Sequence, residues 1–153
     1  MKSLPANRSL PYLLLKVRES LMVHYRPILH AEGLTDQQWR VLRSLGEYEP
    51  LEPNQLSESC MLLGPSLTRM LAGMEQSGLI SRSRSREDQR RQEVYLTEKG
   101  QTLLARIKPL IEKQHVELEE KIGKALAERI YGDLELLQKQ LLEEQQAKKK
   151  DSL

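Results

Sequence analysis

The chain is 153 residues long, enough for one domain with a core of its own; it is 39% apolar with only 4% aromatic residues and no phenylalanine, so that core must be built from Leu, Ile, Val and Met. A formal net charge of +2 excludes a uniformly basic or acidic surface, and affinity for a polyanion would have to come from where the charges sit. The single cysteine, Cys60, excludes an internal disulfide, and no apolar stretch approaches the roughly 20 residues of a membrane span; together these predict a cytoplasmic protein that makes no use of a membrane.

Residues 1–9, with Pro5 and Asn7, show no period and read as an arm. Over residues 10–30, Leu14, Val17, Leu21, Tyr25 and Ile28 fall on one face of an amphipathic helix, whose last turn Pro27 should bend or weaken and which Gly33 should end. Thr35 and Gln38 have the spacing of a capping box, opening a helix over 36–46 with Trp39, Leu42 and Leu45 inward. Residues 49–53 are a break punctuated by Pro50 and Pro53, and Pro53 starts a short helix that carries Leu56 and ends near Cys60. Residues 61–64 form a tight apolar turn before a helix over 65–76, with Leu67, Met70, Leu71 and Met74 inward and Gly78 as its terminating glycine. Two strand-like runs, 79–82 and 93–96, make a hairpin with a long charged tip. Thr97 caps a long helix with Leu104, Ile111, His115, Leu118 and Ile122 on its apolar face, kinked at Pro109 and interrupted at Gly123. A last helix presents Leu126, Ile130, Leu134, Leu137 and Leu141, and the tail from residue 147 onward, with Lys148, Lys149 and Lys150, is expected to fray. The class is mainly α with a small β-wing, and the absence of βαβ alternation argues against a parallel-sheet enzyme.

Two short helices across a tight turn form a helix-turn-helix pattern. The outer face of the second carries Ser66, Arg69 and Gly73, with Pro65 at its start and Thr68 on its flank: small or hydrogen-bonding groups that fit a major groove, though also an ordinary solvated face. The hairpin tilts the balance. Residues 82–91 hold five arginines (Arg82, Arg84, Arg86, Arg90, Arg91) against two acids, and clustered arginine at a hairpin tip suits a narrow, electronegative minor groove.

Asp88, Arg90, Arg91, Val94, Leu96, Thr97 and Gly100 resemble the wing signature of the MarR family of regulators, and Pro65 to Thr68 with Met74, Glu75 and Gly78 resemble its recognition helix and exit. The likeness spans roughly residues 8–145. Within it Arg26, Pro27, Ile28, the run 35–40 and the run 60–68 are similar to the branch controlling homoprotocatechuate (aromatic-acid) catabolism. The resemblance implies a single winged helix-turn-helix domain, 1–153, in which 35–99 bind double-stranded DNA at a palindromic operator and 10–34 and 100–146 supply N- and C-terminal dimerisation helices. It also implies that Arg90 enters the minor groove while Asp88 holds a neighbouring arginine; the plainer reading of Asp88 is a turn former. The stripe on the last helix independently calls for a second chain to cover it.

Nothing supports catalysis, a metal or a cofactor: the eight glycines are scattered, Ser66 starts a helix rather than sitting in a nucleophile elbow, and His24, His30 and His115 lack the spacing of a helical zinc pair. Cys60 could be a redox switch, but no basic residue adjoins it, and a small apolar core residue is the simpler reading. In relatives that sense peroxide the reactive cysteine lies in the first helix, where this chain has none.

An effector region is also legible. Arg18, Met22 and Tyr25 share a face of the first helix, and Asp36, Trp39 and Arg43 share one of the second. Guanidinium groups beside aromatic rings suit a small aromatic carboxylate, with Trp39 or Tyr25 stacking on the ring and His115 meeting a hydroxyl. The resemblance points to the same region, with Ser9 of the second chain helping to close it. Against this, the charges can be ordinary surface pairs, and Trp39 and His115 can belong to the core. The expectation is a repressor released by such an acid; the alternatives are redox control through Cys60 and a helical protein-interaction module.

Overall fold

The structure, a computed structural model, describes residues 8–151. Pro5 and Asn7 of the expected arm lie outside them. Six helices and one hairpin follow in chain order: α1 Leu10–Ala31, α2 Asp36–Tyr48, α3 Pro53–Cys60, α4 Gly64–Gln76, β1 Ile80–Arg84, β2 Gln92–Leu96, α5 Glu98–Ile122 and α6 Lys124–Asp151. The chain divides into two compact units, one ending at Glu112 and one beginning at Lys113.

In the first unit the core forms where α2, α3 and α4 meet the hairpin. Leu42, Leu45, Leu56, Leu71, Met74 and Val94 are fully or almost fully buried in one cluster with Trp39. Helix α2 is set by the capping box read from the sequence: the Thr35 hydroxyl accepts the Gln38 N–H at 3.2 Å and the Gln38 side chain accepts the Thr35 N–H at 3.0 Å. It runs two residues past Gly46, to Tyr48. Gly78 lies at φ +77°, the left-handed conformation that glycine adopts without a Cβ penalty, and this turns the chain from α4 into the hairpin.

Strands β1 and β2 pair antiparallel in the register Ile80↔Leu96, Arg82↔Val94 and Arg84↔Gln92. Residues 49–53 are more than the break their prolines announce. Leu51 is buried and pairs with Val94, accepting its N–H at 2.8 Å and donating back at 3.3 Å, and Glu49 accepts the Leu96 N–H at 3.1 Å. A residue of the α2–α3 link thus adds a third strand position, which no local pattern marks.

Two expectations are corrected. Pro27 and Pro109 both lie inside continuous helices, α1 running on to Ala31 and α5 to Ile122. The inner face at the start of α5 carries Leu103 and Ile107, with Leu104 and Ile111 only partly buried. With Leu29 of α1, these residues extend the winged core beyond 35–99, because a hairpin and three short helices offer too little apolar surface to close it. Of the tail expected to fray from residue 147 onward, the part through Asp151 is helical within α6, and residues 152–153 lie outside the described residues.

In the second unit Gly123, at φ +96°, permits the sharp break between α5 and α6. Leu118 and Ala127 are buried there. The α6 stripe is not: Leu126, Ile130, Leu134 and Leu141 are 40 to 48% exposed.

Candidate nucleic-acid interface

Helix α4 begins at Gly64 with Pro65 in its first turn, where a missing N–H costs nothing. Its N-cap, Leu63, offers no capping side chain, and no acid lies in its first turn. The first N–H groups and the positive end of the helix dipole are therefore open to an anion such as a phosphate. Leu67, Leu71 and Met74 anchor the opposite face in the core, which leaves Ser66, Thr68 and Arg69 exposed. The Thr68 hydroxyl donates to the Gly64 carbonyl at 3.0 Å, so toward DNA it can only accept. Gly73, expected on the DNA side, is exposed, and it also helps line a cavity of about 830 Å³ between the Glu32–Leu34 turn, the end of α4 and the start of α5.

The wing is an ordered tip rather than a loose charged loop. Ser85 is buried, its N–H bonds the Arg91 carbonyl at 2.8 Å, and its hydroxyl accepts the Glu87 N–H at 3.3 Å. Asp88 accepts the main-chain N–H of Arg90 at 2.9 Å, and its carbonyl accepts that of Arg91 at 2.9 Å. Asp88 is thus a turn former: its carboxylate bonds the Arg90 amide, and among the described residues no hydrogen bond from it to an arginine side chain is found, although its charge helps raise the Arg91 pKa.

The five wing arginines divide into two groups. Arg82 forks onto Glu75 of α4 at 3.0 and 3.3 Å, Arg91 pairs with Glu52 at the start of α3, and Arg84 donates to the Gln89 carbonyl at 2.7 Å. Glu52 raises the pKa of Arg91, and Arg82 holds the Glu75 carboxyl below its ordinary value. A lowered carboxyl pKa favours the native state above the ordinary carboxylate pKa, so the Glu75–Arg82 clamp begins to weaken there and is lost only as pH falls further, through the lowered value. Among the described residues no side-chain partner is found for Arg86 or Arg90, which stay exposed at the tip. On sequence alone the five form one cluster; the pairing of Arg91 with Glu52 and of Arg82 with Glu75 depends on the fold. Opposite charges flanking the Gly78 turn were the only local hint for Glu75–Arg82.

The effector residues fall as follows. Asp36 is gripped by Arg26, which the helix-face pattern does not single out, through Nη2 at 3.0 Å and Nε at 3.2 Å; Arg26 also meets Glu19 at 2.8 Å. Both carboxylates raise the Arg26 pKa, Asp36 most. Arg18 bonds Glu19 at 2.9 Å and reaches Asp36 only at 3.8 Å. Met22 and Tyr25 are half-buried, as is Ser9 at the N-cap position of α1. Trp39 is 7% exposed and belongs to the core cluster, whereas Arg43 is exposed, with no partner found among the described residues. In the second unit His115 does not lie on a buried apolar face. It is half-exposed, with Nε2 3.1 Å from Glu119 and 3.3 Å from the Tyr131 hydroxyl, which itself donates to Glu119 at 2.7 Å. None of these residues lines the 830 Å³ cavity. Two cations in its wall are already engaged, Lys99 with the Ser77 carbonyl at 2.7 Å and Arg106 with Glu32. Cys60 is fully buried with the Ser44 and Ser59 hydroxyls at 3.5 and 3.7 Å.

An uncapped recognition helix beside an arginine-tipped wing defines a winged helix-turn-helix DNA-binding protein. The family model described as "MarR family" matches residues 34–91. The chain is 38% identical over 111 residues to the HTH-type transcriptional regulator FarR of Neisseria gonorrhoeae, covering 72% of this chain and 76% of that protein. It is 39% identical over 111 residues to the homoprotocatechuate degradative operon repressor of Escherichia coli, covering 72% and 75%. Among solved structures, transcriptional regulator PA4135 matches with a TM-score of 0.80 and 38% identity, over 86% of this chain and 96% of that one. NadR in complex with 4-hydroxyphenylacetate matches at 0.71 and 35%, over 94% and 96%. CouR bound to a 23-mer DNA duplex matches at 0.76 and 26%, over 88% and 99%. The chain belongs to the MarR family of transcriptional regulators, which are DNA-binding proteins and not enzymes.

Proposed function

We propose that this chain acts in the cytoplasm as a homodimeric repressor of an aromatic-acid catabolic operon, and that a small aromatic carboxylate releases it from a palindromic operator. Three similarities support the reading: to a repressor of homoprotocatechuate degradation, to a regulator solved with 4-hydroxyphenylacetate, and to one solved on DNA. The observation that carries the effector assignment is Arg43. It is an exposed guanidinium one turn from Trp39, while Arg18 and Arg26 are already held by Glu19 and Asp36. Arg43 is therefore the carboxylate anchor, and Arg18 contributes only by exchanging partners. Control through Cys60 has no comparable support, since the thiol is fully buried against hydroxyl groups.

A ligand that fixes the dimer in a spacing other than one DNA turn binds at the expense of operator, and each weakens the other by the same factor. Titration calorimetry with hydroxylated phenylacetates, cinnamates and benzoates tests this. Arg43→Ala should keep operator binding and lose roughly 10- to 150-fold in acid affinity, the worth of a charge-assisted pair. If no acid binds the wild type, or the variant binds as well, the effector assignment fails.

A further inference from the structure

The turn between α3 and α4 carries three consecutive apolar residues with opposite fates. Leu62 packs against the core, while Met61 is 82% and Leu63 80% exposed. The turn is held so that this division persists. The Leu62 N–H donates to the Ser57 carbonyl at 3.0 Å, and the Ser57 hydroxyl donates back to the Leu62 carbonyl at 2.5 Å. Met61 sits at φ +52°, a left-handed position where glycine or asparagine is the ordinary choice. Leu63 is the N-cap of the recognition helix, where serine, threonine or aspartate would bond the free N–H groups, and it makes no such bond. At both positions the residue that would suit the backbone is replaced by a large apolar side chain turned to solvent.

Both flank the N-terminal end of α4, the end that in a helix-turn-helix meets base edges. Base pairs present one apolar group in the major groove, the C5-methyl of thymine. We propose that Leu63, with Met61 beside it, reads a thymine methyl in each half-site and is a sequence-determining residue of the interface. The pinned turn pre-positions the side chain, so contact with DNA orders little that is not ordered already. This rests on the DNA-binding half of the function proposed above.

The test uses the full-length protein and a duplex that it selects from a randomised pool. Each thymine is replaced in turn by deoxyuridine, which removes only the methyl, and affinity is measured for wild type, Leu63→Ala and Leu63→Ser. At one thymine of each half-site, loss of the methyl should weaken the wild type by roughly four-fold, the value of one buried methylene-sized group, and should leave both variants unchanged. The salt dependence should be the same in all three, because no charge is altered. Leu63→Ser restores a capping hydroxyl, so a melting temperature at or above wild type shows that a lost methyl effect is not lost folding. If thymine methyls matter equally to wild type and variants, or to neither, the assignment of Leu63 is overturned while sequence-specific binding stands. If the pool yields no enriched sequence, DNA recognition falls, and this proposal with it.

Discussion

Helices α2 and α6 both carry leucines at helical spacing, and the two sets meet opposite ends. Leu42 and Leu45 of α2 are wholly buried, whereas Leu126, Ile130, Leu134 and Leu141 of α6 stand 40 to 48% open. Helix α2 has α3, the hairpin strand β2 and the start of α5 to close over it. The difference teaches that periodicity tells which side of a helix is apolar but not what covers it. For α2 the cover comes from the same chain; for α6 we expect it from a second copy, as proposed above.

Substitutions on the two helices sharpen this contrast. The largest effect should follow from Leu42→Ala, which opens a cavity in a closed core and should cost about 2–5 kcal/mol of stability, read by chemical denaturation. The paired change Ile130→Glu with Leu134→Glu should do the reverse. It should leave the secondary structure by circular dichroism intact and weaken self-association by on the order of 100-fold, a loss of about 2.7 kcal/mol, read by sedimentation equilibrium. A double variant that associates as tightly as wild type would remove α6 from the dimer interface.

A smaller effect separates the tip of the wing from its root. Arg90→Ala should weaken DNA binding and lower the slope of log affinity against log salt by about one ion. Arg82→Ala should weaken binding with no change of slope, since Arg82 is spent on Glu75 and acts by holding the hairpin to α4. Equal slopes for the two variants would show that both arginines, or neither, neutralise phosphate. The smallest effect belongs to Thr35→Ala, which removes one side of the α2 capping box and should cost about 1 kcal/mol, without touching the DNA-binding surface, in a thermal melt.

Local chemistry explains what was legible from the start. The capping box at Thr35 and Gln38, the glycine turns at Gly78 and Gly123, the proline-started helices α3 and α4 and the arginine-loaded hairpin all follow from residues within a few positions of one another. Such neighbours meet whatever the rest of the chain does. The element order and the arginine-loaded hairpin could therefore be read in advance, and the comparisons agree with the family that the wing residues suggested.

Tertiary structure decided whatever depends on pairs distant in sequence. It joined Arg26 to Asp36, Arg82 to Glu75 and Arg91 to Glu52, and so left Arg84, Arg86 and Arg90 as the wing arginines with no acidic partner among the described residues, although all five look equivalent on paper. It brought Leu51 against Val94, put Leu103 and Ile107 under the winged core, and sent Leu62 inward while Met61 and Leu63 faced out. The reason is common to all of these. A side chain's intrinsic preferences are set by its own chemistry and its near neighbours, but a partner is available only where the fold brings one. The sequence by itself determined which segments are helix, strand and turn and which hairpin is rich in arginine; only the assembled fold determined which charges are paired, which stay without an acidic partner, and which apolar faces remain uncovered.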